Sequence, residues 1–426
     1  MSHFGVLSYK GTGHLNPLIA LSRQLTVRGH RVTFFQTPDL QTRVRQAGLE
    51  FFPIGSSMRA GERHRTQSQR SALSDFAALR YGLERVISDI KVSLQETPNA
   101  LAQAGVDVLI IDEIVLSGPT LAQMLQLPYF LISTSVPHNF GWSAPRSSPR
   151  FKYPLSLFSR LQSALLELSV LKMRGPVRWK LDSYRRQVGL GPYREIQKIF
   201  PPLAHIAQLP QSLDFPRSML PGNFFYTGPF VDESARPSVD FPWNRLDGRP
   251  LIYASLGTAK KSQSGIFHLI AEACKGFDLQ LVISLGSRGN PEDYDHLSGS
   301  PVIVREAPQL ELLRMAEIVI THGGLNTVLE ALMEGKPMIA IPIAYDQPAV
   351  AVRLAWLRVA EVLPANRLSA EKLRLALTNL LSNASYRNAA MEVQASIRSA
   401  RGLERAANLI EDALRNLPLG FEQVQK

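Results

Sequence analysis

An α/β protein built from two Rossmann-like halves is the fold class this sequence predicts, and three observations lead there. Short β-branched runs alternate with helix-length amphipathic segments, the pattern of successive βαβ units. The alternation occurs in two series, separated by a Pro/Gly-punctuated passage at 209–250. The length of 426 residues suits two or three domains, and a composition 45% hydrophobic and 19% charged gives a chain able to bury cores of that size.

Strands of the first series are expected at 4–9, 31–36, 106–111 and 129–133. Each run is followed by a turn and, for the most part, an amphipathic stretch. After Thr134 the pattern lapses into a basic, aromatic-dotted region and then the linker passage, which includes the acidic and proline-bearing stretch 232–240. The second series resumes at 251–255, 280–284, 302–305, 318–321 and 338–341, and roughly the last 45 residues read as helices. The expected division is 1–232, 233–405 and a C-terminal helical segment 406–426.

Composition narrows the function classes. The single cysteine, Cys274, allows neither an internal disulfide nor a cysteine-based zinc or iron–sulfur site, and the start lacks the marks of a signal peptide. A cytoplasmic protein is the expectation. No run reaches the roughly 18 uninterrupted apolar residues needed to span a bilayer, so membrane contact would be peripheral. The net charge of +11 is concentrated: residues 146–198 hold twelve Lys/Arg against Glu167, Asp182 and Glu195, a local +9. That distribution argues against a nucleic-acid protein. It fits either a surface for an anionic partner, such as a membrane, or the solvated face of ordinary helices whose apolar side is core.

In the first half, Lys10-Gly-Thr-Gly-His-Leu-Asn-Pro17 follows the first strand, with Asn16 expected as N-cap and Pro17 in the first helical turn. Asn16 stands where a dinucleotide fingerprint needs glycine, which weakens a nicotinamide or flavin reading. His14 is placed at the carboxyl end of a strand, where α/β domains build sites, and its near-neutral pKa suits removal of a proton from a hydroxyl. It serves equally well as a histidine that only packs or caps. Asp112, closing the strand at 106–111, is the candidate carboxylate to orient it, with Glu113 competing for that role or Asp112 merely capping the next helix.

The second half carries Ile318-Val-Ile-Thr-His322-Gly-Gly-Leu-Asn-Thr-Val-Leu-Glu330, a strand, a Gly-Gly turn and a helix. Free N–H groups at the helix start and its dipole attract phosphate, and His322 adds a donor, together a positive cradle. Asn326, Thr327 and Glu330 share one helical face, so Glu330 is placed to accept both hydroxyls of a ribose attached to that phosphate. One βα unit later, Asp346 and Gln347 suit the paired hydroxyls of a sugar; Asp-Gln is by itself a common turn, and its place after the phosphate loop favours the sugar. Gly257 and Thr258 at one strand end, and Ala307 to Gln309 at another, are candidates for pyrophosphate and base contacts or simply ordinary βα turns. Asp293-Tyr-Asp295 spells an Asp-x-Asp of the kind that holds a divalent metal, but its Gly/Asn/Pro surroundings favour a solvated loop and no metal site.

The run from Ala307-Pro-Gln309 through the 321–330 segment to Asp346-Gln347 resembles the donor-binding signature of inverting UDP-glycosyltransferases of the GT-B fold. With Gly13-His14 and the Asp112 strand, the resemblance extends over essentially the whole chain. It implies two Rossmann-like domains facing a cleft, with His14 as base and Asp112 as its partner. It further implies that His322, Asn326 and Thr327 hold the pyrophosphate, Glu330 the ribose, and Asp346 and Gln347 the sugar, with Gly324 counted among the UDP-sugar-binding residues. Where many members stack an aromatic residue on uracil, this chain has Glu306, and UDP remains the default donor nucleotide.

More narrowly, Met1-Ser-His-Phe4, Leu209-Pro-Gln-Ser-Leu-Asp-Phe-Pro-Arg217, 254–258 and Asp346-Gln-Pro-Ala-Val-Ala351 resemble bacterial zeaxanthin glucosyltransferases. The implied reaction moves glucose from UDP-glucose to a hydroxyl of a lipophilic acceptor such as a carotenoid, without metal or other cofactor. Rivals are a transferase for a polyketide, flavonoid or other aglycone, a nucleotide-sugar epimerase of the same fold and, last, a nicotinamide dehydrogenase.

Overall fold

The computed structural model describes residues 1–55, 75–137, 175–217, 220–257, 264–287, 289–294 and 296–417. Its frame is two wholly parallel sheets. The first comprises β1 (His3–Leu7), β2 (Arg31–Gln36), β3 (Glu50–Pro53), β4 (Val108–Asp112), β5 (Tyr129–Ser133), β6 (Ala204–Ala207) and β7 (Phe224–Tyr226) in the order β3-β2-β1-β4-β5-β6-β7. The second comprises β8 (Leu251–Ser255), β9 (Gln280–Ser284), β10 (Val302–Val304), β11 (Ala316–Thr321), β12 (Met338–Ala340) and β13 (Ala360–Val362) in the order β10-β9-β8-β11-β12-β13. β1, β4, β5, β8 and β9 are buried at every residue, because helices cover both faces; hence their near-continuous apolar sequences.

The longer helices, in chain order, are α1 (Thr12–Val27), α2 (Gln41–Gln46), α3 (Asp75–Ala104), α4 (Gly118–Leu125), α5 (Gly175–Gln187), α6 (Ser264–Cys274), α7 (Gln309–Met315), α8 (Leu325–Met333), α9 (Gln347–Trp356), α10 (Ala370–Ser382), α11 (Ala384–Ala400) and α12 (Gly402–Arg415). In both sheets the strand order reverses at one point, between β1 and β4 and between β8 and β11. Ligands of open α/β sheets bind outside the strand ends at such a reversal, and here those strand ends carry His14, Asp112, Gly257 and His322.

All nine expected strands are present with small shifts at their ends, and four more were not foreseen. β3, β6, β7 and β13 are three or four residues long, and β3, β7 and β13 are outermost strands of their sheets. The apparent lapse after Thr134 is therefore not the end of the first sheet, and β7 lies inside the stretch taken for linker. The N-terminus of α1 also differs: Gly11 is its N-cap, which places His14 in the first helical turn and Asn16 within the helix, where it accepts from Arg43 (3.1 Å).

The chain ends on the half where it began. α12 starts at Gly402, so the boundary expected at 405/406 falls inside it, and its Ala406, Ala407 and Ile410 join the core of the first sheet. Burial of Ile410 alone contributes about 1.5–3 kcal/mol. The crossing needs glycine: a Cβ on Gly402 would lie 2.4 Å from the Pro229 carbonyl, and Gly228 has φ +96°. Arg28, at the C-cap of α1, donates to Asn408 (2.7 Å) and Glu411 (2.8 Å) of α12.

A buried ion pair ties the β6–β7 connection to α9. Asp214 accepts from Arg353 Nε (2.9 Å) and Nη2 (2.7 Å), Arg217 Nε (2.7 Å) and the Tyr226 hydroxyl (2.6 Å). Burial alone would raise the Asp214 pKa, but the Arg353 and Arg217 charges and these hydrogen bonds hold it below the usual carboxylate range. Since a charge buried without its partner is costly, this pair fixes where α9, and so Asp346 and Gln347 at its start, sits relative to the first sheet.

Candidate active site

His14 reaches the cleft from the third position of α1. Its Nδ1 lies 2.9 Å from Asp112 Oδ2 and 2.6 Å from Thr134 Oγ1, while Nε2 has no hydrogen-bond partner among the described residues. Asp112 is the last residue of β4 and fully buried; His14 keeps 21% of its side chain exposed. Successive residues leave a strand on opposite sides, so Glu113 goes elsewhere and accepts from Ser133 Oγ (2.6 Å), which also lies 2.7 Å from His205 Nε2. Burial alone would lower the His14 pKa. The hydrogen bond and charge of Asp112, with the charge of Asp346 from the other half, outweigh it and raise the pKa above 6.5. The arrangement is a partly accessible imidazole held in one orientation, strengthened as a base, with one ring nitrogen unpartnered among the described residues.

Across the cleft, Gly324 caps α8 and brings no side chain, leaving the first-turn N–H groups toward the strand end. Gly323 takes φ +80° to make the turn. The glycines expected to admit a ligand also accommodate His322: a Cβ on Gly257 would lie 2.8 Å from its Nε2, and one on Gly324 2.6 Å. Burial lowers the His322 pKa to about 4 against a smaller opposing effect of the Ser255 carbonyl, and Nδ1 is buried without a partner. The ring is thus neutral at pH 7, so the expected positive cradle owes its charge to the helix terminus, and His322 contributes at most a neutral donor.

Glu330 is 2% exposed, and each of its oxygens already accepts a hydrogen bond: Oε1 from Arg236 Nη2 and Oε2 from Gln309 Nε2 (2.5 Å). Gln309, at the start of α7, accepts from Tyr253 (3.2 Å) and lies 3.5 Å from Thr327 Oγ1. Half-buried Ala307 precedes it, and Glu306 is exposed. Asp346 stands at the N-cap of α9, and Gln347 Oε1 accepts from the Ile343 and Ala344 amides (2.8 Å each), leaving its amide nitrogen without a partner among the described residues. Thr258 lies outside the described residues, as does Asp295. Asp293 is exposed on the turn Pro291–Tyr294, and among the described residues no three His, Cys, Asp or Glu side chains are grouped to share a metal ion.

The two halves touch at the site itself. Asn326 Nδ2 donates to the Gly13 carbonyl, and Asn326 Oδ1 accepts from Gln208 Nε2 (2.8 Å), which also donates to the Thr134 carbonyl (2.5 Å). Pro17 explains why that carbonyl is available: it lies inside α1 and has no N–H for the carbonyl four residues back, that of Gly13. Thr134, Gln208 and Arg236 were not expected from sequence. Gln208 follows β6, whose Ala-His-Ile-Ala gives no strand signal, and Arg236 lies in the linker; the only available clue was their position beside candidate elements.

In the basic segment, 146–174 lies outside the described residues. On α5, Val177, Leu181 and Arg185 are buried. Arg185 belongs to the interior rather than to any basic face, donating to Gly191 (2.7 Å), Thr120 (3.1 Å) and Gln123 (2.7 Å). Trp179, counted on sequence among the apolar side chains, is 64% exposed between Arg178 and Lys180. Among the described residues no helix is long and apolar enough to cross a membrane.

The family model described as UDP-glucoronosyl and UDP-glucosyl transferase matches residues 22–416. Zeaxanthin glucosyltransferases from Pseudescherichia vulneris and Pantoea ananas are 30% and 29% identical to this chain, each aligning 97% of it with 98% and 96% of their own lengths. Among solved structures, the calicheamicin glycosyltransferase CalG4 superposes with a TM-score of 0.77 at 22% identity, covering 98% of this chain and 99% of its own. The chain belongs to the UDP-glucuronosyl/UDP-glucosyl transferase family and has the GT-B fold. It is a glycosyltransferase that uses a nucleotide sugar.

Proposed function

We propose that this enzyme transfers glucose from UDP-glucose to a hydroxyl of a lipophilic acceptor, a hydroxylated carotenoid of the zeaxanthin type, with inversion at the anomeric carbon. One observation carries the chemistry: His14, oriented through Nδ1 by Asp112, is partly exposed and keeps Nε2 without a partner among the described residues. In this reading Nε2 takes the acceptor's proton as its oxygen attacks the anomeric carbon, and Asp112 stabilises the imidazolium that forms. The diphosphate leaves toward the N-terminus of α8, whose N–H groups and dipole offset its charge in place of a metal. Asp346 and Gln347 take the sugar hydroxyls, and Glu330 the ribose.

The carotenoid acceptor is supported by the two zeaxanthin glucosyltransferases aligned over nearly the whole chain. A second reading, another small aglycone, has support in a 24% identical relative named 4'-demethylrebeccamycin synthase. Because a carotenoid lies in a bilayer, the exposed Trp179 between Arg178 and Lys180 is proposed to dock on anionic lipid, each cation worth about 1 kcal/mol near the surface. The deciding experiment is mass spectrometry of products formed from UDP-glucose with a dihydroxy-carotenoid, beside a panel of polyketides and flavonoids. Carotenoid glucoside is expected, and its formation should survive EDTA. Glucosylation confined to the panel would favour the second reading, and conversion of the UDP-sugar without any acceptor would point to an epimerase. Co-sedimentation with anionic but not neutral vesicles, weakened by salt, checks the docking surface.

A further inference from the structure

The linker between the halves is pinned on both sides. Toward the first half, Asp232 accepts from Arg23 of α1 (2.7 Å) and the Ala235 carbonyl from Arg43 of α2 (2.9 Å). Toward the second, Glu233 pairs with Arg314 of α7 (2.9 Å) and Arg236 with Glu330 of α8. Ala235 is buried in the first core, so the backbone that presents Arg236 is fixed.

The Arg236–Glu330 pair is unequally exposed. The carboxylate side chain is 1% accessible and the guanidinium 26%. Arg236 commits Nη2 to Glu330, while Nη1 and Nε have no partner among the described residues. A group arriving at Glu330 therefore meets a carboxylate bordered by an open guanidinium edge. A carboxylate can only accept hydrogen bonds and a guanidinium can only donate. A hydroxyl does both, so the pair together satisfies one hydroxyl more fully than either member alone.

We propose that Arg236 is a donor-site residue: while Glu330 accepts the proton of the nucleotide's ribose 2'-hydroxyl, Arg236 donates to the oxygen of that hydroxyl, so the pair distinguishes a ribonucleotide from a 2'-deoxyribonucleotide. The proposal rests on the reading of Glu330 as the ribose contact. An interdomain linker residue then takes part in donor recognition, and ribose binding is felt by the segment that both halves hold.

The test is calorimetric titration of the full-length protein with UDP and with 2'-deoxy-UDP, for the wild type, Arg236→Ala, Arg236→Lys and Glu330→Gln. Wild type should favour UDP by about tenfold or more, the scale of a hydrogen bond to a charged group. Arg236→Ala should lose most of that preference by weakening UDP and leaving 2'-deoxy-UDP nearly unchanged, and Arg236→Lys, which keeps charge without the fork, should fall between. Damage to folding alone weakens both ligands by one factor, so an unchanged ratio overturns the proposal, as does a wild type without preference. If Arg236→Ala does not fold, the ratio in Arg236→Lys decides by the same criterion. Glu330→Gln separates the two ideas. Loss of preference there with retention in the Arg236 variants refutes Arg236 alone, whereas unchanged UDP affinity and preference in Glu330→Gln refutes the ribose reading itself.

Discussion

His14 and His322 each stand just beyond a strand that flanks the reversal of its sheet, β1 in the first half and β11 in the second, beside a glycine turn and a helix start. Their electrostatics are opposite. His14 has a buried carboxylate at 2.9 Å and a second carboxylate charge across the cleft, and its pKa is raised above 6.5. His322 has no carboxylate partner among the described residues and is packed against two glycines, and burial takes its pKa down to about 4. The same residue type on the two sides of one site thus becomes a strengthened base in one half and a neutral ring in the other. The carboxylate, rather than the histidine, assigns the role.

Removing the base should break this asymmetry most severely. His14→Ala is expected to lower kcat by about 10²- to 10⁴-fold, the usual worth of a general base, with UDP affinity nearly unchanged because the base lies in the opposite half. Near-normal turnover would take His14 out of the mechanism. A smaller effect belongs to the donor half: Glu330→Ala should weaken UDP binding by about 1.5–3 kcal/mol, measured by titration, while the pH dependence of kcat stays that of the wild type.

The smallest effect sharpens the contrast through stability. A histidine whose folded pKa is depressed to about 4 lends stability above its unfolded pKa near 6.5, and that stability is lost as pH falls through this interval. His14, with a raised folded pKa, acts in the other sense, its contribution being fullest at low pH and lost as pH rises through the folded value. Thermal unfolding between pH 7 and 4 should therefore show a shallower decline of Tm for His322→Asn than for wild type. Parallel curves would mean that His322 is not held neutral by burial.

Much of this was legible in sequence, where buried apolar strands and glycine turns leave strong local patterns: nine of the strands, the loop that carries His14, and the strand, turn and helix that carry the run from His322 to Glu330. The rest depends on tertiary placement. Whether Asp112 or Glu113 faces His14 is decided by which side of β4 each occupies. Gln208 and Thr134 follow strands at positions where sequence offers only a common polar residue, and β6, at four residues, has no visible period. The N-cap at Gly11 rather than Asn16 shows a stronger local preference yielding to the turn that delivers His14. Arg185 looks like one more cation in a basic stretch, yet the interior supplies it with three acceptors.

The claim that a carboxylate makes His14 the base is tested most directly by the pH dependence of kcat at saturating substrates in wild type and Asp112→Asn. The base must be neutral to act, so wild-type kcat should fall as pH drops through a value above 6.5. In Asp112→Asn the hydrogen bond to a charged acceptor and the charge itself are gone, leaving burial, which lowers the pKa, opposed only by the smaller effect of the Asp346 charge. The acid limb should move to lower pH, and the plateau should fall because the imidazolium formed in the reaction is less stabilised. An acid limb at the same pH in both proteins would contradict the account.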